Sequence, residues 1–249
     1  MSGLDTTGGA MSSASTFTTT HWSVVLAARQ KTSEERASAM ERLCRAYWRP
    51  LYAFVRRRGY ETHDAQDLTQ GFFARLLEKD FLESVDRSKG KFRSFLLAAL
   101  EHFLAKEWRR SHAQKRGGKV SFISFEEPGP EEQALQLPSK ALTPEQLFDQ
   151  QWALTMLNQS LARLQEEFVA DGKRDFFAST KSFLTGEGKV DSYATLAMKL
   201  GTTEAALKMA VSRMRRRFGE LLRSEIGKTV DGPGQIEEEL RLLFGALGR

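Results

Sequence analysis

Apolar residues recur at three- and four-residue steps along nearly every periodic stretch of this chain, the spacing of helices that bury one face. The first stripe is Ala37, Met40, Leu43, Cys44, Tyr47, Trp48 and Leu51, behind a helix start at Ser33-Glu34-Glu35. Pro50 lies inside this stripe and predicts a kink or a division. Gly59, after the basic run Arg56-Arg57-Arg58, predicts its end. Thr62 is placed to cap a second helix with Ala65, Leu68, Phe72 and Leu76 on its inner face. A charged turn from Asp86 to Gly90 leads into a long third helix, whose stripe is Phe92, Phe95, Leu96, Ala99, Leu100, Phe103 and Leu104.

Periodicity fails from Lys115 to Pro138, where Gly117-Gly118, Pro128-Gly129-Pro130 and a Glu-rich stretch predict a linker. It resumes at Thr143-Pro144-Glu145-Gln146, which has the residues of a capping box with Pro in the first turn. Helices are expected to Ala170 and from Arg174 to Thr185, followed by a turn at Gly186 to Lys189. Nothing alternates convincingly as a strand. The expected fold class is all-α, two helical domains joined by a linker, the C-terminal one a helix-turn-helix. The boundaries are a disordered leader over 1–19, a helical bundle over 20–116, a linker over 117–142, the helix-turn-helix domain over 143–227 and an extension over 228–249.

The most specific local pattern is Ser192 to Phe218. Ser192 caps a short helix with Tyr193, Leu196, Ala197 and Leu200 inside, and Gly201 supplies a turn where positive φ is cheap. Thr202 or Thr203 caps a second helix that buries Leu207, Ala210, Val211, Met214 and Phe218. Its other face carries Glu204, Lys208, Ser212, Arg215 and Arg216, with Arg213 at the edge. That is the layout of a helix that enters the major groove, its N-terminal residues at base edges and its later basic residues at phosphates. The bland alternative is a helix pair with a solvated basic face.

Charge adds a second pointer. The net charge is +5, with 21 Lys and Arg against 12 Asp and Glu over 20–119, 6 against 11 over 120–190 and 7 against 4 over 191–227. Two basic segments around an acidic one suit two modules that touch a polyanion. In the first, Glu101, His102, Lys106, Arg109 and Arg110 share a polar flank of the third helix, and Trp108 is a candidate to stack on unpaired bases. Phe92, Phe95 and Phe103 lie on the inner stripe and belong to the core.

Catalytic chemistry finds no support. His21, His63, His102 and His112 lack metal-ligand spacing, and the single cysteine, Cys44, has no partner for zinc or a disulfide. No apolar run reaches the ~20 residues of a membrane span, and Met1 to Thr20 has no signal-peptide pattern. No enzyme activity, metal or cofactor is expected.

Three motifs in order carry a resemblance to a known family. Asp67-Leu68-Thr69-Gln70 with Phe72-Phe73 and Leu76 resembles the polymerase-binding helix of sigma-70 family factors. Lys91-Phe92-Arg93-Ser94-Phe95-Leu96 resembles the start of the helix that melts and reads the −10 element. Ser192-Tyr193-Ala194-Thr195-Leu196-Ala197 through Arg217 is similar to the helix-turn-helix that reads the −35 element. The resemblance covers about Trp22 to Ile226, and with two domains and no additional central one it is to the compact extracytoplasmic-function (ECF) type. It implies a bacterial, cytoplasmic, nucleoid-associated transcription initiation factor whose partners are core RNA polymerase (β′ clamp helices and β subunit), promoter DNA and, in some members, an anti-sigma factor. Asp67 and Gln70 would face the β′ clamp helices. Glu101, His102, Lys106, Arg109 and Arg110 would face −10 DNA, and Thr203, Glu204, Lys208, Ser212, Arg213 and Arg216 the −35 duplex. Gly71 departs from the pattern, standing where an acid is common. The tail with Ile236, Leu240, Leu243, Phe244 and Leu247 is extra, an amphipathic helix that docks on the chain itself or on a partner, the former being favoured. The competing reading is a stand-alone helix-turn-helix regulator, which would ordinarily dimerise on paired half-sites.

Overall fold

A computed structural model describes residues 33–76, 91–114, 142–186, 191–230 and 233–248. The leader, most of the linker, and the turns at Asp86–Gly90 and after Gly186 lie outside the described residues. The elements are α1 (Ser33–Arg57), α2 (Thr62–Leu76), α3 (Phe92–Gln114), α4 (Pro144–Ala170), α5 (Arg174–Thr180), α6 (Ser182–Thr185), α7 (Tyr193–Lys199), α8 (Glu204–Gly227), a 3₁₀ turn (Pro233–Gln235) and α9 (Ile236–Leu247). The described residues are all-α, without a strand.

Local signals account for most boundaries. The capping box at Thr143 is formed in full: Gln146 N donates to Thr143 Oγ1 at 3.2 Å, and Thr143 N donates to Gln146 Oε1 at 2.9 Å. Ser192 Oγ accepts from Thr195 N at 3.1 Å to start α7. Of the two candidate caps for α8 the structure uses Thr203, whose Oγ1 accepts from Ala206 N at 3.2 Å. Gly201 takes a φ of 64° between them. Two expectations are corrected. Pro50 neither divides α1 nor ends it; the helix runs through it to Arg57. Thr62 is the first residue of α2 and not its cap, because Ala65 N already donates to Glu61 O at 2.8 Å.

Packing organises around α4, which lies against α1, α8 and α9. One core joins Leu43, Tyr47, Leu51 and Phe54 of α1, Phe72 and Leu76 of α2, and Phe92, Leu96 and Leu100 of α3 with Leu147, Phe148, Trp152 and Met156 of α4. The same core takes in Leu222 and Ile226 at the end of α8 and Leu240, Leu243 and Ala246 of α9. A second core gathers Leu164 of α4, Phe177, Leu196, Ala197, Leu207, Val211, Met214 and Leu221. Thus α4 and α8 each run through both cores, and the first core joins residues of the segments 20–116 and 143–227 while the second lies within 143–227.

The tail is seated on the chain. Leu240, Leu243 and Ala246 are buried, while Phe244, expected on the same inner stripe, is 58% exposed. Ala246 takes the inward position that Phe244 was expected to hold. Around this contact the charged groups form ion pairs. Lys91 Nζ lies 2.6 Å from Glu239 Oε1 and 2.9 Å from Glu238 Oε1, Arg93 Nε lies 2.9 Å from Glu239 Oε2, and Arg93 also pairs with Asp149 of α4. Burial alone would lower the Lys91 ammonium, but its bonds to Glu239 and Glu238 hold it above its ordinary value. The Lys91 bond in turn holds the Glu238 carboxyl below the usual carboxylate range.

Gly71 sits where α2 meets α3: a Cβ there would lie 3.4 Å from the Phe103 ring, ordinary van der Waals contact. Gly71→Ala is therefore expected to raise stability by about 0.5–1 kcal/mol through helix propensity. Urea denaturation checks this, and a loss of stability would mean that the two helices have no room to give.

Candidate nucleic-acid interface

The pair α7 and α8, joined by the turn at Gly201, presents an exposed basic face. Leu196, Ala197, Leu207, Val211 and Met214 are buried between α4, α5, α7 and α8, which turns Glu204, Lys208, Ser212, Arg213, Arg215 and Arg216 to solvent. Thr203 is spent as the cap and exposed. Glu204 and Lys208 form an i,i+4 ion pair at 2.6 Å, and Lys208 Nζ stands 5.7 Å from the centre of the Tyr193 ring. The Glu204 bond raises the Lys208 ammonium, which stays charged at any physiological pH. Arg216 pairs with Glu220 at 3.2 Å. Arg217, one residue on, is held bidentately by Glu167 of α4 at 2.7 and 2.8 Å, so this guanidinium ties α8 to α4.

The second candidate surface is the C-terminal half of α3. Phe103 and Leu104 turn inward, and Glu101, His102, Lys106, Arg109 and Arg110 are all exposed. Arg109 Nε donates back to Ala105 O at 3.1 Å, which leaves its charge on the surface. Trp108 is 55% exposed, unusual for a residue that could bury so much apolar area. It lines a cavity of about 300 Å³ with Arg58, Tyr60, Glu101, Leu104 and Ala105. Glu101 is paired with Arg58, which also lies 3.5 Å from Glu145. Asp67 and Gln70 are exposed together on α2, on the face opposite Phe72, Phe73 and Leu76.

The candidate residues thus fall into three surface groups on three helices, and none is drawn into a core. Geometry adds Arg58, which faces Glu101 from the turn just after α1, and Met209, 63% exposed on the open face of α8. Arg58 carried a signal, as the last of three consecutive arginines, though that run was read only as a helix end. Met209 carried none, since apolar residues in a helix are assigned inward by default. Among the described residues no cluster of His, Cys, Asp or Glu could hold a metal ion. No helix among them is long and apolar enough to cross a membrane.

The described residues are all-helical, and the exposed basic faces of α8 and α3 have the charge that a nucleic-acid surface would need. Residues 43–114, which hold most of α1 and all of α2 and α3, match the family model of Sigma-70 region 2. The match supports a relation to sigma-70 family factors over this segment of the chain. No curated protein and no solved structure matches the chain.

Proposed function

We propose that the chain is a sigma factor of the ECF type, which directs core RNA polymerase to promoters by reading −35 and −10 elements and helping to melt the latter. The observation that carries this reading is the region 2 match over 43–114 together with the solvent-facing Asp67 and Gln70 on α2 and the basic flank of α3 within it. In this reading 20–116 is the polymerase- and −10-binding module, 117–142 a connecting segment, 143–227 the −35 module and 228–249 an extension.

Each group has a task. Asp67 and Gln70 offer a carboxylate and an amide to a basic, hydrogen-bonding surface such as the β′ clamp helices. Lys106, Arg109 and Arg110 neutralise phosphates near the −10 element, Trp108 offers a ring for an unpaired base, and Glu101 and His102 face the same strand. On α8, Glu204 and Lys208 stand near the helix N-terminus, where side chains reach base edges, and their ion pair holds both in register for a cytosine amine or a guanine edge. Ser212, Arg213 and Arg216 follow at phosphate positions, and Thr203 fixes where the helix begins.

Capture of purified bacterial core polymerase, followed by run-off transcription from promoters selected with the reconstituted enzyme, tests the reading. Stoichiometric capture and promoter-dependent transcripts are expected. Absence of capture, with duplex binding by a dimer of the free chain, would replace it with the stand-alone regulator. In the captured state, Arg213→Ala with Arg216→Ala is expected to weaken binding to all −35 duplexes alike. It should also reduce the slope of log affinity against log salt by about 1.8. An unchanged slope would remove these two residues from the phosphate contact.

A further inference from the structure

The outward line of α8 carries one residue that the proposed base and phosphate contacts leave without a task. At 3.6 residues per turn, Ala205, Met209, Ser212 and Arg216 follow each other along one line of the helix. All four are exposed, and Met209 stands nearly half a turn from Leu207, Val211 and Met214, which hold the inner face in the core. It marks the centre of the surface that α8 turns away from the body. A methionine is 63% exposed there, with Lys208 on one side of it and Arg213 on the other.

The charged neighbours are drawn off this line. Lys208 is bonded to Glu204 at 2.6 Å and lies 5.7 Å from the centre of the Tyr193 ring, which turns it towards α7. Arg216 reaches on to Glu220 at 3.2 Å, away from the N-terminus of the helix. Ala205, one turn before Met209, offers only a methyl group, and Ser212, one turn after it, is short. Long side chains of a helix lean back towards its N-terminus, so Met209 extends over the turn of Ala205. In the first two turns of α8 the thioether is thus the largest group on the central line. It is unbranched and polarisable, which suits an irregular apolar contact. A helix that enters the major groove brings this line to the base edges. Beside hydrogen-bond donors and acceptors, the apolar group that base pairs present there is the C5 methyl of thymine.

We propose that Met209 is a specificity-determining residue: it packs on the C5 methyl of a thymine in the duplex that α8 reads, and so selects a T·A pair at that position. The proposal deepens the reading of α8 as the helix that enters DNA and rests on it. Glu204 and Lys208 specify a neighbouring pair by hydrogen bonds, while Arg213 and Arg216 supply affinity that is indifferent to sequence. The division gives Met209 a signature of its own. Its removal changes which base is preferred and leaves the salt dependence alone, since a neutral side chain releases no counterion.

The test uses the full chain with core polymerase, on a duplex selected by the reconstituted enzyme. Each thymine of the −35 element, on either strand, is replaced in turn by deoxyuridine, which lacks only the C5 methyl. In competition binding the wild type is expected to lose about fourfold at one thymine, the worth of burying one methyl group. Met209→Ala should bind the parent duplex about fourfold more weakly and show no further loss on that deoxyuridine, with an unchanged slope of log affinity against log salt. Met209→Gln, which keeps the length of the side chain and ends it in an amide, should be equally blind to the methyl. Deoxyuridine without effect at every thymine, or a loss that persists in Met209→Ala, would overturn the proposal and leave the sigma reading standing. If polymerase is not captured, the sigma reading falls, and the same scan on duplexes selected by the free chain decides the role of Met209 by the same criteria. A chain that binds no duplex in either form would overturn both.

Discussion

Trp152→Ala is expected to lower the unfolding free energy of the whole chain by about 3–5 kcal/mol, the cost of deleting a large buried aromatic side chain. Trp152 is 1% exposed in a core that mixes α1, α2 and α3 with α4, α8 and α9, and it supports the Arg93 guanidinium over its ring. The loss should appear as one shifted transition in thermal melts followed by circular dichroism, lower by roughly 10 °C for a chain of this size. If α1–α3 kept its own unshifted transition, the shared core would not be a thermodynamic unit.

The second large effect falls on binding. Asp67→Ala with Gln70→Ala is expected to weaken capture of core polymerase about 100-fold, since truncating charged and hydrogen-bonding groups at the centre of an interface costs on the order of 1–3 kcal/mol each. Both side chains are exposed on α2 and neither belongs to a core, so stability should change by less than about 0.5 kcal/mol. Titration of labelled chain against core polymerase measures the affinity, and a parallel melt guards the interpretation. Equal affinity of variant and wild type would place the polymerase contact on another face.

Elements whose signals are local were legible in the chain. The capping box at Thr143, the caps at Ser192 and Thr203, and the turn at Gly201 need only neighbours within four residues, and each is found where expected. Inner stripes were legible for the same reason, although buried Thr69 escaped the pattern because its hydroxyl is satisfied by Ala65 O within its own helix, at 2.7 Å. What a face packs against is not written in its period. Phe148 and Trp152 mark an apolar side of α4, but nothing near them says that the side belongs with α1 and α3. Arg93 was read only as part of a motif; its partners lie 56 and 146 residues away. The exposed candidate residues were easier to place, because a polar side chain on an amphipathic helix has only the outer face to occupy.

The passage of α4 and α8 through both cores governs how this chain can be recombined. A chimaera that swaps the proposed −35 module by cutting at residue 143 would import a foreign α4, and with it a foreign face against Tyr47, Leu51 and Phe92. Graft junctions belong at the end of α4, after Ala170, and inside α8, before Leu221, so that the transplanted piece is α5, α6, α7 and α8 up to Glu220. The residues proposed to read DNA would then travel as a cassette while the host keeps its own scaffold.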